Sequence, residues 1–129
     1  MVIQLEEFTL NTHPEGILNI TSQIRKKLSD SGLTNGFVCE FTASSTSILT
    51  TTEYESRLIT WDMPYLLEKI RLYNRDYDHH HMWEDKNGGK YMRSFLLGPT
   101  LTIPFSNSEL ILGTWQKVII LDMDEKNRI

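Results

Sequence analysis

The sequence is poor in cysteine and has no long apolar run, and each absence excludes a class of protein. Cys39 is the single cysteine among 129 residues, so no disulfide can form within the chain. No apolar run approaches the length that spans a membrane, and no basic and then apolar leader opens the sequence. We therefore expect a reduced cytoplasmic protein without a membrane partner, in which Cys39 is a small buried side chain.

Positive charge is also in deficit. The 13 Lys and Arg residues are outnumbered by 17 Asp and Glu residues, which gives a formal net charge of -4. A broad nucleic-acid surface needs a basic stripe, so we predict no nucleic-acid partner. A small anionic ligand stays open, because one pocket can be positive on an acidic protein. The apolar fraction of 40% and the length fit one globular domain over residues 1–129.

The first predicted helix rests on apolar residues that recur at helical spacing: Ile17, Ile20, Ile24 and Leu28. Asn19 or Thr21 can cap its start, and Ser31-Gly32 can close its end. Such an amphipathic helix is expected to lie on a sheet.

A second helix is predicted over residues 62–72. Asp62 would cap it, and Pro64 would stand in the first turn, where a missing N–H costs little. Residues 73–90 follow with histidines, charges and no apolar period. A loop of this length in a compact domain is usually functional or disordered.

The other apolar segments have strand character and are bounded by turn-forming residues: residues 3–10, 37–41, 44–52, 92–97, 100–105, 109–112 and 118–123. The last four are separated by short turns, a spacing that predicts an antiparallel meander. Strands outnumber helices and no β-α-β alternation runs through the second half. The fold class is therefore α+β, with helices on one side of antiparallel sheet.

Three stretches resemble the YjbQ family of small proteins. The first is the hydroxyl-rich run from Ser44 to Glu53, which is similar to the family's His-Thr-Thr-Ala segment running into a Glu. The second contains Tyr77-Asp78-His79, Trp83, Asp85, Asn87-Gly88 and Arg93. The third runs from Leu96-Leu97-Gly98-Pro99 through Ile103-Pro104 to Gly113-Thr114-Trp115-Gln116. Aligned in this way, the resemblance covers nearly the whole chain.

The resemblance implies an α+β fold of two packed sheets, assembly as a homotrimer and, for some members, secondary thiamine-phosphate synthase activity. The family's candidate site gathers histidines that this chain has partly lost. Ser44 stands in place of the His of His-Thr-Thr-Ala, and Gly89 and Tyr91 stand in place of a His-x-His pair. His79 is what remains of that set.

Carried over residue by residue, the resemblance assigns two groups to a site. The catalytic candidates are His79, Glu53 and Asp85. The substrate-binding candidates are Ser44, Ser45, Thr46, Asn87, Tyr91 and Arg93. An imidazole titrates near neutral pH and suits proton transfer, and a strand-borne guanidinium suits a phosphate.

Each candidate also has a structural interpretation. Glu53 could pair with Arg57, and Asp85 could form a turn with Asn87. The hydroxyls at positions 45 and 46 fit a polar strand face, and Arg93 fits a surface ion pair. These alternatives stay open at the level of sequence.

A metal site is not predicted. His79 and His81 would point the same way in an extended segment, a spacing that can grip a metal. They do not complete a four-ligand shell, since neither serine at 44 nor glycine at 89 replaces imidazole. We expect no tightly bound zinc, while Mg²⁺ could accompany a pyrophosphate substrate.

Three functions follow from these features. The first is that of the family: a transferase that joins an aminopyrimidine pyrophosphate to a thiazole phosphate. The second is a non-catalytic module that binds a small anion, and the third is a metal-assisted hydrolase. In each case the expected partner is a small phosphorylated molecule. Trp115, in a predicted corner between strands, fits a subunit-interface anchor of the homotrimer.

Overall fold

The computed structural model describes residues 1–11, 16–70, 95 and 97–122. In chain order its elements are β1 Ile17–Asn19, α1 Thr21–Ser31, β2 Gly36–Phe41, β3 Ser47–Glu53, a π-helical segment Leu58–Asp62, α2 Met63–Ile70, β4 Thr100–Ser106, β5 Glu109–Leu110 and β6 Gln116–Asp122. The predicted α+β class is confirmed. In the described part of the chain, no helix is long and apolar enough to cross a membrane.

The strands form two antiparallel sheets of three strands each. Sheet one has the order β1-β6-β3, and sheet two has the order β2-β4-β5. The predicted meander is therefore wrong at its last step, because β6 leaves β5 and enters the other sheet. Residues 118–121 of β6 are apolar on both faces and buried, and such a strand needs cover on both sides. Its central place in sheet one pairs both of its edges, and the apolar clusters on the two sides of that sheet cover its faces.

The larger apolar core lies between the two sheets and beneath α1. Its buried members are Ile20, Ile24, Leu28, Leu49, Ile103, Phe105, Leu110, Val118 and Ile120. A smaller cluster covers the opposite face of sheet one and consists of Ile48, Ile119 and Leu121. Ile17 of β1 and Leu67 of α2 pack against this second cluster. Sheet one is thus enclosed on both faces.

Helix α1 starts later than its apolar spacing predicts. Ile17 belongs to β1, where it pairs with Leu121 of β6. The N-cap residue is Ile20, and the Asn19 side chain just before it accepts hydrogen bonds through Oδ1 from the Thr21 N–H at 3.1 Å and the Thr21 hydroxyl at 2.7 Å. Gly32 ends the helix at a φ of 72°, a left-handed conformation that glycine adopts without strain. The predicted end at Gly32 is confirmed, whereas the predicted cap at Asn19 or Thr21 is wrong, because Ile20 holds the N-cap position.

The second helix begins before its predicted cap. Helical conformation starts at residue 56, and Glu55 Oε2 accepts a hydrogen bond from the Leu58 N–H at 2.9 Å. Asp62 lies inside the helical run, so its predicted capping role is wrong. Pro64 has no N–H for the usual helical bond, and the turn before it widens into a π-helix in which the Met63 N–H donates to the Leu58 carbonyl.

One predicted strand does not form, a second is contradicted at its two described residues, and one predicted burial is reversed. Residues 3–10 have no regular structure; Ile3 and Leu5 share one strand face while Phe8 and Leu10 fall on the other. Of the strand predicted over residues 92–97, the structure describes Phe95 and Leu97, and both are helical. Cys39 is exposed rather than buried, because alternation along β2 turns it outward.

Candidate functional site

The first residues of the hydroxyl-rich run, 44–46, lie in the turn that joins sheet two to sheet one, so the strand predicted over residues 44–52 begins only at Ser47. β2 ends at Phe41, β3 begins at Ser47, and the side chain of Ser44 organises the residues between them. Ser44 Oγ accepts hydrogen bonds from the Thr46 N–H at 3.2 Å and the Ser47 hydroxyl at 3.1 Å. Its contact with Thr46 Oγ1 is 3.3 Å. Short hydroxyl side chains commonly bond neighbouring backbone in this way, which is why the turn forms here.

Exposure differs sharply within this turn. Thr46 and Ser47 are buried, with 1% and 4% of their surface exposed, whereas Ser45 is exposed. No hydrogen bond from the Ser45 hydroxyl is found to any other described residue. Of the three predicted hydroxyl ligands, Ser45 is therefore the one whose side chain is available to a ligand from solvent.

A buried carboxyl lies beside the turn. Asp122 is the last residue of β6, pairs in register with Ser47 of β3 and is 1% exposed. Its backbone N–H donates to the Gly16 carbonyl at 3.1 Å. Burying a carboxyl is costly without polar neighbours, so Asp122 belongs with the hydroxyl turn as a polar end of the sandwich. Sequence reasoning missed it, although an acidic residue that follows a continuous apolar strand is a usable signal.

Glu40 is a second carboxyl that sequence reasoning missed. It lies on β2 beside Leu101 of β4, on the face that turns toward the core. Neither of its carboxyl oxygens touches solvent or accepts a hydrogen bond from a described residue. Burial raises the pKa of Glu40 to about 7 from its ordinary value of 4.5. In the sequence, Glu40 can be recognised as a charged residue at a position that the alternation of side chains along β2 turns toward the core.

Glu53 does not join the hydroxyl turn within one chain. It ends β3 and pairs with Gln116, whereas Ser47 begins the same strand and pairs with Asp122. Glu53 is the sixth residue after Ser47 along the strand, a span of roughly 20 Å. Glu53 is also exposed. The catalytic candidate and the hydroxyl candidates thus occupy opposite ends of one strand.

The side chain of Gln116, the first residue of β6, organises the corner that precedes this strand. Its side-chain oxygen accepts from the Gly113 N–H at 3.0 Å, and its amide donates to Thr51 Oγ1 at 2.9 Å. These bonds tie the corner to β3. Trp115 projects from the corner and is 71% exposed.

The other predicted site residues lie outside the described part of the chain: His79, His81, Asp85, Asn87, Tyr91 and Arg93. The structure therefore positions Ser44, Ser45, Thr46 and Glu53 from the predicted set. Among the described residues, no group of three or more His, Cys, Asp and Glu side chains could hold a metal ion.

Comparison with known proteins agrees with this architecture. A solved YjbQ/UPF0047-family protein from Clostridium acetobutylicum superposes with a TM-score of 0.85 at 26% identity, covering 96% of this chain and 95% of that one. A hypothetical protein from Aeropyrum pernix K1 gives a TM-score of 0.85 at 25% identity, covering 94% and 90%. The chain is thus similar to two-sheet α+β proteins over almost its full length.

Sequence relatives define the family. The family model described as UPF0047 protein YjbQ-like matches residues 6–128. A UPF0047 protein of Methanothermobacter thermautotrophicus is 33% identical over 125 residues, 96% of this chain and 85% of the relative. A UPF0047 protein of Archaeoglobus fulgidus is 30% identical, covering 92% and 90%. This chain belongs to the YjbQ family.

Proposed function

We propose that the chain binds a small phosphorylated molecule at the hydroxyl turn and acts as a secondary thiamine-phosphate synthase. The observation that carries the proposal is the turn itself, with the exposed Ser45 hydroxyl beside the buried Thr46, Ser47 and Asp122. Hydroxyl groups and backbone N–H groups are common ligands of phosphate oxygens. The reaction is the one that the resemblance to the YjbQ family implies for some of its members.

The reaction would join an aminopyrimidine pyrophosphate to a thiazole phosphate. The carbon–oxygen bond to pyrophosphate breaks, a bond to the thiazole forms, and pyrophosphate leaves with the electron pair. Such a reaction needs donors that stabilise the leaving anion more than it needs a protein nucleophile. The positive charge of Arg93 would stabilise the leaving anion, and His79 would transfer a proton. Mg²⁺ would be bound together with the pyrophosphate.

A non-catalytic anion-binding module is the second candidate. The Ser44 hydroxyl is already engaged with Thr46 and Ser47, and Glu53 lies at the far end of β3. The described residues therefore offer a ligand more hydrogen-bond donors than proton-transfer groups. This arrangement favours binding without turnover.

Replacing the predicted anion ligands separates these candidates. Arg93→Ala should lower anion affinity by about ten- to a hundredfold, since it removes a charge-assisted contact of ~1.5–3 kcal/mol. Arg25→Ala is the matched control, because Arg25 is exposed on α1, away from the turn. Affinity is read from the shift in melting temperature caused by inorganic pyrophosphate. Equal shifts in both variants would contradict a site that includes Arg93.

Turnover is measured with the same proteins as thiamine-phosphate formation. If His79 transfers a proton, His79→Ala should reduce turnover more than binding. Pyrophosphate binding without detectable thiamine-phosphate formation in the unmodified protein would favour the non-catalytic module.

The proposed assembly is a homotrimer. The exposed Trp115 fits an interface anchor, and large aromatic side chains are enriched at subunit interfaces. Light scattering at micromolar concentration gives the mass directly. A mass of 15.1 kDa, that of a single chain, would contradict the assembly.

A further inference from the structure

The carboxyl group of Glu40 has a placement that the proposed function does not explain. Both of its oxygens are shielded from solvent and accept no hydrogen bond from a described residue, although the residue as a whole is only half-buried. Long charged side chains usually do the reverse, burying the carbon stem and keeping the charged end in water. A buried polar group without a partner costs free energy, so its retention calls for a physical reason.

Glu40 lies next to the hydroxyl turn. It is the last residue but one of β2, and the turn begins two positions further on, at Thr42. The start of β4 bonds to both residues, because the Thr100 hydroxyl donates to the Glu40 carbonyl at 3.0 Å and the Thr42 N–H donates to the Pro99 carbonyl at 3.0 Å. The inward carboxyl therefore lies on the order of 10 Å from an anion bound at Ser45.

The interior around Glu40 offers it no positive charge from a described residue. The described residues that turn inward from the neighbouring strands are apolar or carry a hydroxyl: Ser47, Leu49, Leu101, Ile103 and Ile120. Helix α1 turns Ile24 and Leu28 toward the same core. The ionisable group among these inward positions is Asp122, two residues beyond Ile120 on β6. Burial alone raises the pKa of Glu40 to about 7.

We propose that Glu40 couples anion binding at the hydroxyl turn to proton binding, so that the turn holds its anion most tightly while the Glu40 carboxyl is neutral. The inference rests on the proposed function and adds a regulation of that same site. A neutral carboxyl leaves a bound phosphate group undisturbed, whereas a carboxylate repels it. Two charges on the order of 10 Å apart near a protein surface change a binding constant by about tenfold at low ionic strength. The coupling is reciprocal, so a bound anion also raises the proton affinity of Glu40.

The first test measures the affinity for sulfate from pH 5.5 to pH 8.5 at constant, low ionic strength. Sulfate keeps its charge over this range, so a change in affinity comes from the protein. The ratio of the wild-type Kd to that of Glu40→Gln should be near one at pH 5.5 and about ten at pH 8.5. Titrating histidines act on both proteins and cancel in this ratio. Glu109→Gln, at an exposed corner of the same sheet, is the matched control and should follow the wild type.

The second test uses the unmodified sequence. In protein labelled with carbon-13 at the glutamate side-chain carboxyls, one nuclear magnetic resonance signal should titrate near pH 7. Saturating sulfate should raise its midpoint by up to about one pH unit, the equivalent of a tenfold coupling. Neither Asp122 nor a histidine contributes to this signal, because only glutamates carry the label. A midpoint that sulfate leaves unchanged would overturn the proposal, even if Glu40→Gln does not fold.

The outcomes separate the proton coupling from the proposed function. Sulfate that binds to none of these proteins at any pH contradicts the anion site, and the coupling with it. Sulfate binding with the same pH dependence in wild type and Glu40→Gln overturns the coupling alone and leaves the anion site in place. A pH dependence that is lost in Asp122→Asn and kept in Glu40→Gln would assign the coupling to Asp122 and overturn the role of Glu40.

Discussion

Each of the two sheets has two longer strands and one short strand, but the faces of the two sheets are covered in different ways. Sheet one has the larger core on one face and α2 with its apolar cluster on the other. Sheet two faces the core on one side only, and its outer face exposes two phenylalanines. The contrast is visible in the central β6, buried throughout residues 118–122, against β2, which alternates inward and outward. Sheet one is therefore covered on both faces within one chain, whereas one face of sheet two exposes apolar side chains.

The largest expected effect lies in the doubly covered strand. Ile119→Ala should lower the free energy of unfolding by about 2–5 kcal/mol, because it opens a cavity at a side chain that is 1% exposed. Ile3→Ala is the matched control. Because Ile3 is 81% exposed, this substitution should change the free energy of unfolding by no more than about 0.5 kcal/mol. Chemical denaturation at fixed protein concentration measures both. Similar losses in the two variants would contradict the burial of β6.

The second prediction concerns the inner face of sheet two, where Glu40 is shielded. Its folded pKa of about 7 exceeds its ordinary 4.5, so the folded state binds this proton more tightly than the unfolded chain. The resulting stabilisation is fully present below about pH 4.5 and is lost as pH rises through 7. Because the residue as a whole is only half-buried, we discount the shift and expect a loss of ~1–2 kcal/mol across this window.

Glu40→Gln should remove this part of the pH dependence. Urea denaturation from pH 5 to pH 8 gives the free energy of unfolding of variant and wild type at each pH. In the difference between the two values, the contributions from the titration of other groups cancel. Glu109→Gln, at an exposed corner of the same sheet, is the control and should follow the wild-type curve. A Glu40→Gln curve parallel to that of the wild type would mean that Glu40 is not shielded in solution.

The smallest effect is expected at the turn that connects the two sheets. Ser44→Ala removes the acceptor of the Thr46 N–H and the Ser47 hydroxyl, and should cost about 1 kcal/mol or slightly more. Ser45 is the next residue in the chain but is exposed, so Ser45→Ala should change the free energy of unfolding by less than about 0.5 kcal/mol. If the two variants proved equally stable, the hydroxyl bonds of this turn would carry no net stabilisation.

Local signals in the sequence predicted much of this fold. The strand predicted over residues 118–123 forms as β6, Gln116–Asp122, and Gly32 correctly marked the end of α1. The place of β6 between β1 and β3 could not be read in the same way. Sheet order depends on contacts between residues about a hundred positions apart, and no local pattern encodes them.

The candidate site was predicted in part. The hydroxyl run was recognised by its composition and by its resemblance to the family, and it does form a turn beside polar neighbours. Asp122 and Glu40 were missed because each carboxyl looks like a solvated surface residue until its strand is placed in a sheet. Glu53 looked close to Ser44 along the sequence, yet an extended strand carries it to the opposite end.

Hydrogen exchange of the two sheets tests the difference between them most directly. Amides of β2, residues 36–41, should exchange faster than those of β6, residues 116–122, in dilute protein, since β2 lies at an edge with one bare face. The account predicts that the amides of residues 118–122 exchange about tenfold or more slowly than those of β2. Equal exchange rates in the two strands would contradict it.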